Sequence, residues 1–189
     1  PDEAAFIIGD SGSKVVVLTP QLGLVLMPAL AGLVDDDVTF VSIGGEVDGA
    51  DDLMALAAER SPDPIPDATE GADMLYSSGT TGRPKGVLRA LSGEPLGTTA
   101  GLALLGEFLM GMSPESVYLS PAPMYHAAPL KWSLESLALG ASVVLMERFE
   151  PEALLSAIET HGVTHGQFVP TMFVRMLKLP EEVRNRYDV

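Results

Sequence analysis

Residues 76–86 read Tyr76-Ser77-Ser78-Gly79-Thr80-Thr81-Gly82-Arg83-Pro84-Lys85-Gly86. Four hydroxyl side chains, two glycines and a lysine fall within nine of these residues. A predicted strand, Asp73-Met74-Leu75-Tyr76, comes directly before, and a second, Gly86-Val87-Leu88-Arg89, follows. Hydroxyls supply hydrogen-bond donors, and glycines let backbone N–H groups turn inward and approach an anion closely. Lys85 adds a point charge of the kind that meets a phosphate, and Pro84 stiffens the approach to it. This is a loop for a polyphosphate. A Walker A loop places its lysine after a glycine and before a serine or threonine, whereas Lys85 lies between Pro84 and Gly86. The spaced-glycine dinucleotide fingerprint is also absent. A hairpin joining two strands would explain the turn residues, but not the ordered run of hydroxyls, glycines and lysine.

Outward from this loop, strand-like and helix-like segments alternate. Upstream, Val15-Val16-Val17-Leu18 predicts a buried strand, and Thr19 and Pro20 suit the N-cap and first position of an apolar helix running to Leu33. The run Val15–Val34 is twenty residues without a charge, long enough to cross a bilayer. Gln21, Pro28 and the following Asp35-Asp36-Asp37 favour a soluble strand and helix instead. Val38–Ile43 predicts the next strand, and Asp51-Asp52 open a helix that Ser61-Pro62 stops. Residues 61–67 hold three prolines and form an extended linker. Downstream, helices are expected over Leu96–Met112, Leu130–Leu139, Pro151–His161 and Thr171–Leu179. Strands are expected at Ser116–Leu119, Ser142–Met146 and from Val163. Strands separated by helices of ten or so residues give an α/β fold with a mostly parallel sheet covered by helices.

Composition narrows the function. The chain has 189 residues and a formal net charge of −15, which argues against nucleic acid and anionic membrane as partners. No cysteine is present, so disulfides, thiolate metal sites and a thiol nucleophile are excluded. Any sulfur chemistry must use a thiol brought in by a substrate. So acidic a protein needs a concentrated donor site and a divalent cation to hold ATP against its own field. Asp35-Asp36-Asp37 reads as a solvated turn, because three adjacent carboxylates do not converge on a metal; no protein metal site is assigned. Trp132 and the nine methionines read as core, and His161 as a cation at a helix end.

The loop closely resembles the phosphate-binding signature of the AMP-forming adenylating superfamily, which includes acyl-CoA synthetases, nonribosomal adenylation domains and luciferases. Pro121-Ala122-Pro123-Met124-Tyr125-His126 resembles that family's Pro-x-x-aromatic-His element beside the nucleotide and acyl pocket. Val163-Thr164-His165 through Val169-Pro170-Thr171 resembles its strand-to-helix passage, whose residues wall the acid site. In flavour the chain is most similar to a bacterial fatty-acyl or related acyl-CoA synthetase. The resemblance implies that a carboxylate attacks the α-phosphorus of MgATP, giving acyl-AMP and pyrophosphate, and that the thiol of coenzyme A then displaces AMP. It implies phosphate binding by Ser77, Ser78, Gly79, Thr80, Thr81, Gly82, Arg83, Pro84 and Lys85, with Lys85, Thr80 and His126 in the catalytic set. It implies an acid pocket formed by His126, His165, Gln167, Val169 and Pro170, taking a fatty or other hydrophobic acid. A carrier-protein acceptor, or a non-catalytic nucleotide-binding module, is the alternative. The implied location is the cytoplasm, with peripheral membrane attachment open.

The sequence also departs from the family. The Ser/Thr-His pair usual after the loop is replaced by Ala90-Leu91, and Leu91-Ser92-Gly93-Glu94-Pro95 forms an unusual turn. No Tyr-Gly-x-Thr-Glu element occurs; the only Thr-Glu is Thr69-Glu70, upstream of the loop. The ribose-holding aspartate, the hinge and the C-terminal-domain lysine are expected after Val189. The chain therefore reads as a partial N-terminal domain: residues 1–60 a first α/β part, 61–72 the proline-rich linker, and 73–189 the phosphate-loop and acid-pocket part. Such a piece is expected to be inactive alone and to bind ATP weakly or not at all.

Overall fold

Helix α1 (Asp2–Ser11) carries Asp2 and Glu3 in its first turn, where carboxylates offset the positive end of the helix dipole. It ends at Gly12, whose φ of 64° suits a residue without Cβ. The computed structural model describes every residue except Pro1, Leu33, Asp35, Asp36, Ser78–Gly82, Thr99 and Ala100. The uncharged run after α1 resolves as strand β1 (Val15–Leu18) and helix α2 (Pro20–Leu30). Thr19 occupies the N-cap position of α2 but makes no side-chain cap bond. Among the described residues no helix is long and apolar enough to cross a membrane. The Asp35-Asp36 turn lies outside the described residues.

Strand β2 (Thr39–Ser42) pairs in parallel with β1, Val15 opposite Thr39 and Leu18 opposite Ser42. A two-residue strand, β3 (Asp51–Asp52), adds in parallel to β2. Helix α3 (Leu53–Ala58) follows at once, with Asp52 as N-cap: the Ala55 N–H donates to Asp52 Oδ1 at 2.7 Å. Strands β4 (Leu75–Ser77) and β5 (Lys85–Val87) form an antiparallel pair. The pairing resumes beyond them, where Glu70 N–H donates to the Glu94 carbonyl and Leu96 N–H to the Ala68 carbonyl. The Leu91–Pro95 turn thus returns the chain to residues 68–70.

Helix α4 (Leu102–Met110) starts later than its apolar pattern predicts. Gly97 and Gly101 have φ of 90° and 60°, outside the right-handed helical region, and they delay its start. Then come β6 (Val117–Ser120), α5 (Ala127–Ala138), β7 (Ser142–Leu145), α6 (Pro151–His161), β8 (His165–Gly166), α7 (Pro170–Leu177) and the short α8 (Glu181–Arg184). The sheet order is β7-β6-β8, parallel throughout. Central β6 is the most buried strand, with Tyr118, Leu119 and Ser120 all inside. The chain end is pinned to α6: Tyr187 donates its hydroxyl to Glu152, and the Asp188 N–H donates to Glu159.

The chain divides into two compact units, Pro1–Leu96 and Gly97–Val189. The first has Ile8, Leu18, Leu30 and Val41 in its core, and the second Met112, Tyr118, Leu119, Leu154 and Leu155. The proline-rich run 61–72 lies inside the first unit. The fold is α/β with parallel strands, as the alternation predicts. Among the described residues the strands form two three-stranded parallel sheets and one antiparallel pair, rather than a single sheet.

Candidate functional site

Of the phosphate-loop candidates, Ser77, Arg83, Pro84 and Lys85 are described; Ser78, Gly79, Thr80, Thr81 and Gly82 lie outside the described residues. The antiparallel register sets Ser77 directly opposite Lys85 and Tyr76 opposite Gly86. Directly opposed residues share a face of the ladder, and successive residues alternate faces. Ser77 and Lys85 therefore point to one side and Tyr76 to the other. Both Ser77 and Lys85 are exposed. The Lys85 ammonium makes no hydrogen bond or ion pair among the described residues. An unpaired ammonium and a free hydroxyl on one face, at the mouths of the same loop, suit an incoming anion.

The other face of the hairpin meets α1. The Tyr76 hydroxyl donates to Asp10 Oδ2 at 2.7 Å. Desolvation, and then this bond to a carboxylate, push the phenol up to about 12. Gly86 leaves room for the ring, since a Cβ there would come within 2.8 Å of Tyr76 Cζ. The Arg83 guanidinium carbon lies 5.5 Å from the centre of the Phe6 ring, within cation–π range. Sequence reasoning missed Phe6 and Asp10; they stand more than sixty residues from their partners, and no local pattern links them.

In the second unit, His126 is the N-cap residue of α5, with its ring exposed and making no cap bond. The preceding Met124 is drawn inward, its sulfur facing the Ser120 and Ser133 hydroxyls at 3.8 and 3.7 Å. Tyr125 and His126 are left outward, ring centres 4.5 Å apart. His165 lies on β8 beside Tyr118. Its Nε2 donates to the Met110 carbonyl at 2.9 Å, one of the free carbonyls ending α4. Its Nδ1 meets Thr164 Oγ1 at 2.8 Å. Gln167 has its Oε1 buried and without a partner among the described residues. Val169 occupies the N-cap position of α7 without a side-chain cap bond, and Pro170 takes the first helical position.

His126 and the Gln167–Pro170 passage share one edge, whereas His165 is bonded to Met110 and to Thr164, which pairs with Val117 at the start of β6. Strands β6 and β8 are adjacent and parallel, so the loop carrying His126 and the passage Gln167–Pro170 leave the sheet at the same carboxyl end. That edge is where open α/β sheets bind ligands. Among the described residues, no three His, Asp or Glu side chains converge as a metal site would require.

The chain is 35% identical to 4-coumarate–CoA ligase 5 of Oryza sativa subsp. japonica, across all of this chain and 34% of that protein. It is 33% identical to 4-hydroxybutyrate–CoA ligase 2 of Metallosphaera sedula, over 93% of this chain and 33% of that one. The chain thus spans about a third of the length of the curated relatives it matches. Its fold matches the inhibitor-bound N-terminal domain of FACL13 from Mycobacterium tuberculosis with a TM-score of 0.72 and 28% identity, over 99% of this chain and 45% of that chain. ATP-bound MatB from Rhodopseudomonas palustris gives 0.69 and 27%, over 97% and 36% of the respective chains. The model of the AMP-binding enzyme family matches residues 1–188. Because that match runs through both units, the chain belongs to the AMP-binding enzyme family, the AMP-forming adenylating superfamily that its loop resembles.

Proposed function

We propose that this chain is the phosphate-gripping and acid-facing part of an AMP-forming acid–CoA ligase. A carboxylate is a poor acyl donor at neutral pH, and adenylation gives it a good leaving group. The carboxylate oxygen bonds to the α-phosphorus of ATP as the bond to the pyrophosphate oxygen breaks. The thiolate of coenzyme A then bonds to the acyl carbon, and AMP departs. Ser77, Ser78, Thr80 and Thr81, with the N–H groups of Gly79 and Gly82, bind the phosphates. Arg83 and Pro84 shape the exit of the loop, and Lys85 neutralises charge on the departing pyrophosphate. Magnesium arrives with ATP and spreads the same charge. His126 faces the carboxylate. His165, Gln167, Val169 and Pro170 belong to the wall of a pocket for a hydrophobic acid, with the ring nitrogens of His165 fixing that wall.

The observation that carries this reading is the Ser77–Lys85 register, which sets a hydroxyl and an unpaired ammonium side by side at the loop's two ends. The test is to incubate the full-length protein with MgATP, coenzyme A and a panel of aromatic, short hydroxy and fatty acids. The expected products are AMP, pyrophosphate and one preferred acyl-CoA. ADP formation, or acyl-AMP that passes only to a carrier-protein thiol, would contradict it. The 189-residue chain alone is proposed to be inactive, so pyrophosphate–ATP exchange by this chain would contradict that part.

A further inference from the structure

We propose that Asp10 and Phe6 are positioning residues which clamp both stems of the phosphate loop to one face of helix α1. This rests on the reading that the 77–85 segment holds ATP. Tyr76 immediately precedes the loop's first hydroxyl, and Arg83 immediately follows its last glycine. The Tyr76 hydroxyl is bonded to Asp10 at 2.7 Å, and the Arg83 guanidinium lies over Phe6. Phe6 and Asp10 stand four residues apart on α1, which places them on the same face of the helix. One rigid helix therefore holds both ends of the six residues that lie between Tyr76 and Arg83.

Two consequences follow. Stems tethered to one helix keep Ser77 and Lys85 in place, so these two residues lose less freedom when they meet a ligand. The clamp also manages charge. Strand alternation puts the Asp10 carboxylate behind the hairpin, on the side away from Ser77 and Lys85. There it anchors the loop without facing the phosphates. Its acceptor is used by a neutral phenol, which leaves the Lys85 charge free for the ligand.

The test uses the full-length protein. Asp10→Ala and Phe6→Leu should speed amide hydrogen exchange severalfold at residues 76–77 and 83–87, while leaving β6 and β7 unchanged. Asp10→Ala should raise KM for MgATP about three- to tenfold, as loss of one hydrogen bond would, with smaller changes in kcat and in KM for the acid. Asp10→Asn keeps an acceptor oxygen and should restore most of the affinity. Asp10→Ala combined with Tyr76→Phe should be no worse than either alone. Unchanged exchange at the stems, additive effects, or an equal loss for ATP and acid would overturn the clamp. If Lys85→Ala leaves adenylation intact, the ATP reading fails instead, and the exchange result still judges the tether separately.

Discussion

Ser77 and Lys85 are register partners across the β4–β5 pair, and the chain between them is the candidate phosphate loop. A slip of one residue would turn both to the face now held by Tyr76 against α1. What prevents the slip is the fit of the Tyr76 ring over Gly86, locked by the Asp10 bond.

Gly86→Ala should break that fit. The new Cβ would lie 2.8 Å from Tyr76 Cζ and would also press on the Met74 methyl. The methionine can swing away; the ring, held at its hydroxyl, cannot do so without losing its bond. A loss of about 1–3 kcal/mol is expected, the usual range for overpacking. It would be read as a lower urea midpoint with an unchanged slope.

Alkaline pH should weaken the fold between about pH 10 and 12. Tyr76 and Tyr118 are both pushed up to about 12, Tyr76 by desolvation and its bond to Asp10, Tyr118 by burial. The sign follows from linkage. Below pH 10 both phenols are neutral in either state and stability is complete. Above it the unfolded chain ionises first, and stability falls until the folded pKa is passed. Denaturation midpoints measured from pH 8 to 12 should show this decline, and Tyr118→Phe should flatten it. At neutral pH the same substitution should stabilise by about 1 kcal/mol, because it removes a buried hydroxyl that has no partner among the described residues.

His165→Phe should destabilise the second unit by about 1–2 kcal/mol, since the Met110 carbonyl and the Thr164 hydroxyl both lose a partner. Chemical denaturation would measure this, and hydrogen exchange should locate the loosening at the end of α4.

The local elements were legible because their signals are local. Helix α6 starts at Pro151 and stops before Gly162, whose φ of 58° only glycine adopts easily, and the expected bounds match. Strand β1 likewise declares itself through four apolar residues before Thr19-Pro20, although it is not the buried strand expected: Val15 and Val17 are exposed and only Leu18 is fully inside. What stayed hidden depends on distant pairing. Asp51-Asp52 looks like a helix start and nothing more; it is also a strand because Val41 and Ser42 stand beside it. The division into two parallel sheets rests on which strands meet, and no short window of residues encodes that. At the candidate site the hydroxyl–glycine–lysine order was readable, whereas the Asp10 and Phe6 contacts with the hairpin were not. The two bonds of His165 were equally hidden: one partner, Met110, is 55 residues away, and Thr164, although adjacent, gives no sign of pairing.

The most direct test of the central claim is acid-dependent pyrophosphate–ATP exchange by the full-length protein, wild type against Lys85→Ala. If Lys85 neutralises the departing pyrophosphate, exchange should fall by about a hundredfold or more, the scale seen when a transition-state charge partner is removed, while the folded state persists. Exchange at the wild-type rate would contradict the assignment of this loop to ATP.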